Sequence, residues 1–421
     1  MDWKTPLFSV MAIGLASSGL AQADAPAVIK NYADIAQAGY ADSLSTALTL
    51  KERVAELIAA PSENTLTAAK LGWLDARVPY QQTEVYRFGN AIVDDWEGKV
   101  NAWPLDEGLI DYVDSSYGSE SDANDFYTAN IIAHSSLLIN GQTIDASVIT
   151  PELLATELHE AGGIESNVAT GYHAIEFLLW GQDLNAGKAG AGNRLHTDFD
   201  TGNCTNEHCD RRSDYLVAVT DLLVSDLQYM ATAWAEGGDA RTALNDLGED
   251  GAIAAMLTGM GSLSYGELAG ERMQLGLMLH DPEEEHDCFA DNTSASHYYD
   301  GLGIQNVLLG QYKRSDGGLI TGPSLLGLIK EQDNALAQEL KGDLENSVAM
   351  LAVLLESQHE GQAYDQLIAE GNVKGNAIVQ DAIDALIAQT RTIERVVVAL
   401  DVDGVAVEGS DSLDDPSAVF Q

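Results

Sequence analysis

The stretch Gly171-Tyr172-His173-Ala174-Ile175-Glu176-Phe177-Leu178-Leu179-Trp180-Gly181 decides how the rest of the chain is read. It is apolar except for one imidazole and one carboxyl group. Three residues apart, His173 and Glu176 leave the same face of an α-helix. A carboxylate in apolar surroundings is costly unless a cation, an arginine or a proton compensates it. The pair is therefore either hydrogen-bonded inside a helical bundle or part of a metal site.

The segments around this helix carry the same 3.6-residue periodicity. In 43–60 the apolar set is Leu44, Ala47, Leu48, Val54, Leu57 and Ile58; in 213–234 it is Tyr215, Leu216, Val219, Leu222, Leu223, Leu227 and Met230. A third stripe, Ile378, Val379, Ile383, Leu386, Ile387, Ile393 and Val397, marks 376–397. One-sided stripes of this kind predict an all-α fold. The single candidate hairpin is 396–407, with Asp403-Gly404 as its turn. The longest break, 181–210, is rich in Gly, Asn and Asp and separates halves long enough for a four-helix-bundle-like domain each. We place the domains at 24–210 and 211–421. The halves could descend from a duplication: each has an acid- and arginine-rich helix (73–88 and 265–280), a polar stretch, then a Gly-initiated apolar helix at Gly171 or Gly322.

Residues 1–23 read as a secretory signal, with Lys4, an apolar run over 7–20 and the small-x-small site Ala21-Gln22-Ala23. The run is too short and too Gly/Ser-rich for a membrane span, and no later window reaches transmembrane length. With 21 basic against 66 acidic residues the net charge is −45, which makes nucleic acid a poor partner. The acids are spread along the chain, as expected of a solvated surface. Export permits disulfides, and Cys204, Cys209 and Cys288 are the candidates, with one thiol left over.

His-x-x-Glu is a cheap pattern and occurs twice, as His173/Glu176 and His280/Glu283; the apolar setting singles out the first. The zinc-protease signature His-Glu-x-x-His is absent. One helix supplies at most two ligands, so others must come from neighbouring segments. Arg77, Gln82 and Glu84 lie in the first polar helix, and Asp106 follows in Asn101-Ala-Trp-Pro-Leu-Asp-Glu107. A mixed His and Asp/Glu set suits iron or zinc. The second half offers Glu271 and Arg272, then His286 and Asp291 within the acid-rich run 283–293, whose Glu stretch reads more readily as a solvated acidic loop or helix N-terminus than as a second cation site. Asp198-Phe-Asp200-Thr-Gly202 starts like a calcium loop but lacks the closing Glu.

Gly171-Tyr-His173-Ala-Ile-Glu176 followed by Phe-Leu-Leu-Trp-Gly resembles the Gly-x-His-x-x-Glu signature of imelysin-like proteins. Thr83-Glu84-Val-Tyr-Arg-Phe-Gly89, the 101–107 block, 262–273 and Glu285-His-Asp-Cys-Phe-Ala-Asp-Asn-Thr293 are similar to the iron-regulated protein A branch of that family, in order, across about 30–400. The resemblance implies an exported, two-domain helical protein of bacterial iron uptake, in the periplasm or at the outer membrane, working with other iron-uptake proteins. It implies that His173 and Glu176, with Glu84 and Asp106 beside them, hold a metal ion or an iron carrier. The family also bears a peptidase label, which implies the alternative of a zinc metallopeptidase using His173 and Glu176. The run Asn292-Thr-Ser-Ala-Ser-His297 departs from the family pattern, which has a histidine directly after the threonine, and so weakens the transfer of any role to this segment. A third reading makes the His-Glu pair a packing device in a binding scaffold.

Overall fold

The computed structural model describes residues 24–185 and 187–420; the expected signal segment, 1–23, lies outside them. The described chain is helical, with two short hairpins. Numbering the longer helices in chain order, α1 is Ala25–Ala59, α2 Glu63–Gln81, α3 Ala91–Asn101, α4 Gly171–Trp180 and α5 Cys209–Ala233. They are followed by α6 (Gly248–Ser262), α7 (Thr293–Leu309), α8 (Asn334–His359) and α9 (Val373–Leu400). The stripes at 43–60, 213–234 and 376–397 lie almost wholly in α1, α5 and α9.

Local chemistry sets the helix starts. Asp24 accepts the Ala27 N–H at 2.9 Å ahead of a proline in the first turn of α1, and Ser62 and Thr65 form a capping box at α2. All ten residues of α4 are buried. A helix apolar all round can only sit inside, and α4 packs against α2, α3 and α5. Gly171 opens it with φ +79°, where a Cβ would collide with the Val100 carbonyl. That close approach to the end of α3 is what the glycine permits.

The helix after the long break, α5, packs on α1 and α4 and so completes the first bundle. The second bundle is built from α7, α8, α9 and a long helix running from α6 to Leu279, which passes through π-type turns over Leu263–Gln274. α7 reaches across to α2. One apolar core accordingly runs through both halves, from Val28 to Val396, and a smaller one around Leu268, Leu351, Tyr364 and Leu386 belongs to the second bundle.

The candidate hairpin at 396–407 is not formed. α9 continues to Leu400 because Ile393 and Val396 continue its buried stripe, and Asp401 ends it in the left-handed region. Tertiary burial outweighs the β-branched composition there. The hairpins lie elsewhere: Ser136–Ile139 with Gln142–Asp145, and Gln311–Lys313 with Leu319–Thr321. The first turns on Asn140-Gly141, both at positive φ, which is the residue pair a two-residue hairpin turn demands.

Leu50, fully buried in α1 beside Gly72 of α2, tests this packing. Leu50→Ala should cost about 2–5 kcal/mol, measured as a lower denaturant midpoint with an unchanged slope.

Candidate metal centre

His173 Nδ1 lies 3.0 Å from Glu176 Oε2, one helical turn away, and both side chains are wholly buried. The other carboxylate oxygen, Glu176 Oε1, accepts the Ala290 N–H at 2.9 Å. The segment after Pro282 thus lies against α4, and it brings His286 and Asp287. The rings of His173 and His286 are 4.9 Å apart, centroid to centroid, and Asp287 Oδ1 is 3.8 Å from His173 Nδ1. One donor atom from each of His173, His286 and Asp287 falls within 4.8 Å of the others. His173 Nε2 and His286 Nδ1 are buried with no hydrogen-bond partner.

Arg77, from α2, reaches this group. Its Nη2 and Nε contact Asp287 at 2.7 and 3.3 Å, and its Nη1 donates to Asn101 Oδ1 at 2.6 Å. Asn292 Nδ2 donates to Asp287 Oδ2 at 2.8 Å, and Ser296 Oγ donates to the same oxygen. Trp103 closes the near side, its ring 5.0 Å from His173, 6.0 Å from His286 and 5.9 Å from Phe289.

Burial and the neighbouring Arg77 charge push the His173 imidazole down to about 3, so it is neutral. His286 is driven well below its ordinary value, first by burial and then by Arg272, His173 and Arg77. Glu176 moves the other way, held well above the usual carboxylate range by burial and by Asp287. Asp287 stays low because Arg77 faces it. Without a cation the centre therefore balances: Arg77 cancels Asp287, both imidazoles are neutral, and Glu176 keeps its proton. Two neutral imidazoles, one carboxylate and a displaceable proton make a donor set suited to a borderline divalent metal.

The remaining sequence candidates are dispersed. Glu84 pairs with Arg272 at 2.8 Å, and Arg272 also binds Glu267 at 2.8 Å and Asp300 at 3.0 Å. Asp106 accepts from Ser166 and Asn124. Gln82 bridges the Val78 carbonyl and Asn306. Glu271 is exposed and Asp291 half-buried, at a left-handed turn. His280 ends its helix at positive φ, bonded to the Ile368 carbonyl, so the second His-x-x-Glu shares no helical face. Cys204 and Cys209 form the disulfide, while Cys288 is a free, buried thiol, which removes it from the bridge candidates. Sequence reasoning passed over Asp287 and Trp103 as site residues. Trp103 lies in the 101–107 block and Asp287 immediately follows His286; only the fold shows that they face α4.

Residues 36–393 match the model of the imelysin family, which carries a peptidase designation. The chain belongs to that family. It is 22% identical over 371 residues to iron-regulated protein A of Synechococcus elongatus, spanning 86% of this chain and 82% of that one. A crystal structure of an iron-regulated protein A precursor from Parabacteroides distasonis superposes with a TM-score of 0.65 at 18% identity, covering 91% of this chain and 97% of that one; the two share a fold.

Two substitutions probe the centre's electrostatics. Arg77→Leu leaves Asp287 buried without its partner and should cost about 3–5 kcal/mol in chemical denaturation. His297, wholly buried in α7, is held down to about 3 by burial and the Arg272 charge, against 6.5 ordinarily. Its neutral burial contributes fully above pH 6.5 and is lost as pH falls toward 3. His297→Gln should therefore lose less of its melting temperature than the parent chain between about pH 6.5 and pH 4.

Proposed function

We propose that the chain is an exported iron-uptake accessory protein that holds a metal ion, iron before zinc, at His173, His286 and Asp287, with Glu176 orienting His173. The observation that carries this reading is the pair of buried, unpartnered ring nitrogens, His173 Nε2 and His286 Nδ1, beside the Asp287 carboxylate. Buried polar atoms without partners are rare in native proteins and point to a missing ligand. The kinship with iron-regulated protein A supports iron as the cargo, and the expected signal segment supports export to the periplasm or outer membrane. No helix among the described residues is long and apolar enough to cross a membrane.

The chain's own groups prepare the centre. When Glu176 is ionised, the Nδ1–H of His173 donates to it and the Nε2 lone pair is free to act as a ligand. A bound ion would supply the positive charge that lets Glu176 give up its proton. Asn292, Ser296 and Arg77 hold Asp287 in place. The zinc peptidase alternative has less support from this geometry. His173 and Glu176 have no exposed surface, so a polypeptide substrate has no direct access to the two residues that would hold zinc.

Titrating the chelator-stripped chain with ferrous iron under anaerobic conditions, followed by calorimetry, should show one buried site. His173→Ala should weaken it by about 10–100-fold. Binding should release close to one proton per ion near neutral pH, read from the dependence of the heat on buffer ionisation. Unchanged affinity in His173→Ala, with lowered stability, would leave the His-Glu pair as a packing device.

A further inference from the structure

A cleft of about 370 Å³ lies where α2, α7 and the hairpin beginning at Gln311 come together. It shares no residue with the histidine centre. Its size falls in the range of small-molecule sites, which gather where domains meet. Val78, Pro79 and Leu302 supply apolar lining, and Tyr298 and Tyr299 an aromatic one, their rings 5.2 Å apart and edge to face. Two contacts hold this lining in place. Gly303 lets α7 press on α2, for a Cβ there would lie 2.6 Å from the Gln82 carbonyl oxygen. Asp42 of α1, itself buried, accepts the Arg314 Nε–H at 2.9 Å, the Ser315 N–H at 2.8 Å and the Tyr312 hydroxyl at 3.1 Å.

The charge of the lining is unlike that of the chain. Acidic residues outnumber basic ones 66 to 21 overall, yet Lys313 and Arg314 line the cleft and no acid does. The Lys313 ammonium is exposed, with no ion pair or hydrogen bond among the described residues. Arg314 turns Nε and Nη2 to Asp42 and keeps Nη1 without a partner. Asp316, just beyond, is engaged in its own loop, where it accepts the Gly318 N–H at 2.8 Å. The hydroxyls of Tyr298 and Tyr299, both half-buried residues, make no hydrogen bond to the described protein. Burial, with Tyr298 and Asp75 nearby, raises the Tyr299 hydroxyl above its ordinary value, so at neutral pH it is a donor.

We propose that this cleft binds a small organic anion carrying a flat ring, its acid group meeting Lys313 and the free edge of Arg314 and its ring lying against Tyr298 and Tyr299. Aromatic packing and a charge-assisted contact are the two modes of recognition that the lining offers. An inorganic anion would leave the aromatic and apolar surface uncovered, and a neutral ring would leave the lysine unpaired. Because Asp42 fixes the hairpin beforehand, little ordering remains for the ligand to impose. The proposal is independent of the histidine centre and of the metal assigned to it.

The experiment uses 2-naphthoate as the probe and its neutral amide, 2-naphthamide, as the comparison. The chelator-stripped chain is titrated with each by calorimetry at about 0.15 M salt, which screens diffuse attraction. Parent chain and His173→Ala should bind one 2-naphthoate with equal affinity, and the amide should bind at least about tenfold more weakly. Lys313→Gln, a change at an exposed position, should weaken naphthoate by about threefold or more and leave the amide unchanged. Tyr299→Ala should weaken both probes by about tenfold. The control Lys374→Gln, an exposed lysine at the start of α9, should match the parent. Absence of saturable naphthoate binding in the parent overturns the proposal, as does equal affinity for the amide or an equal loss in Lys313→Gln and Lys374→Gln. A failure of iron binding to depend on His173 would overturn the reading of the histidine centre and leave this one standing.

Discussion

The buried ion pair between Arg77 and Asp287 is the contact on which the rest of the centre depends. Its partners are 210 residues apart in the chain and both are almost wholly buried. Such a pair survives desolvation only if its remaining donors and acceptors are also satisfied. Asn101 takes the free edge of the guanidinium, and Asn292 and Ser296 complete the carboxylate. The consequence is geometric. With Asp287 anchored, Ala290 presents its N–H to Glu176, Phe289 packs on Trp103 and Phe177, and the His286 ring meets that of His173. Burial, and after it the same charge, keeps the His173 imidazole in its neutral form.

Arginine plays this part more than once. Arg272 joins Glu84, Glu267 and Asp300 where π-type turns carry it inward, and Asp111 is held between Arg194 and Arg212. In a chain of net charge −45, these guanidiniums are buried at the junctions between helices and irregular segments. A planar fork that bonds carboxylates bidentately suits such joints better than lysine. The surplus acids coat the surface, and a few converge without any counter-charge.

The strip of chain that supplies His286 and Asp287 also carries Glu283 and Glu285. Cys288 is in that strip too, and burial together with Glu283, Glu176 and Glu285 keeps its thiol protonated.

The sequence by itself determined the helical class, since one-sided stripes of period 3.6 can bury their apolar faces only against other helices, and it marked His173 and Glu176, because a polar pair in an otherwise apolar helix must be satisfied inside the protein. It held the Asn140-Gly141 turn as well, an unused signal, whereas the β-branched run from Val396 continues α9 with Val396 buried and Val398 exposed. What it could not reveal is which distant groups meet that pair. Glu84 and Asp106 sit in blocks as suggestive as the one carrying Asp287, yet each is consumed by its own partners. Only the tertiary structure decided that Asp287 and His286 face α4, because that depends on Arg77, packed aromatic rings and a loop whose path no local periodicity encodes.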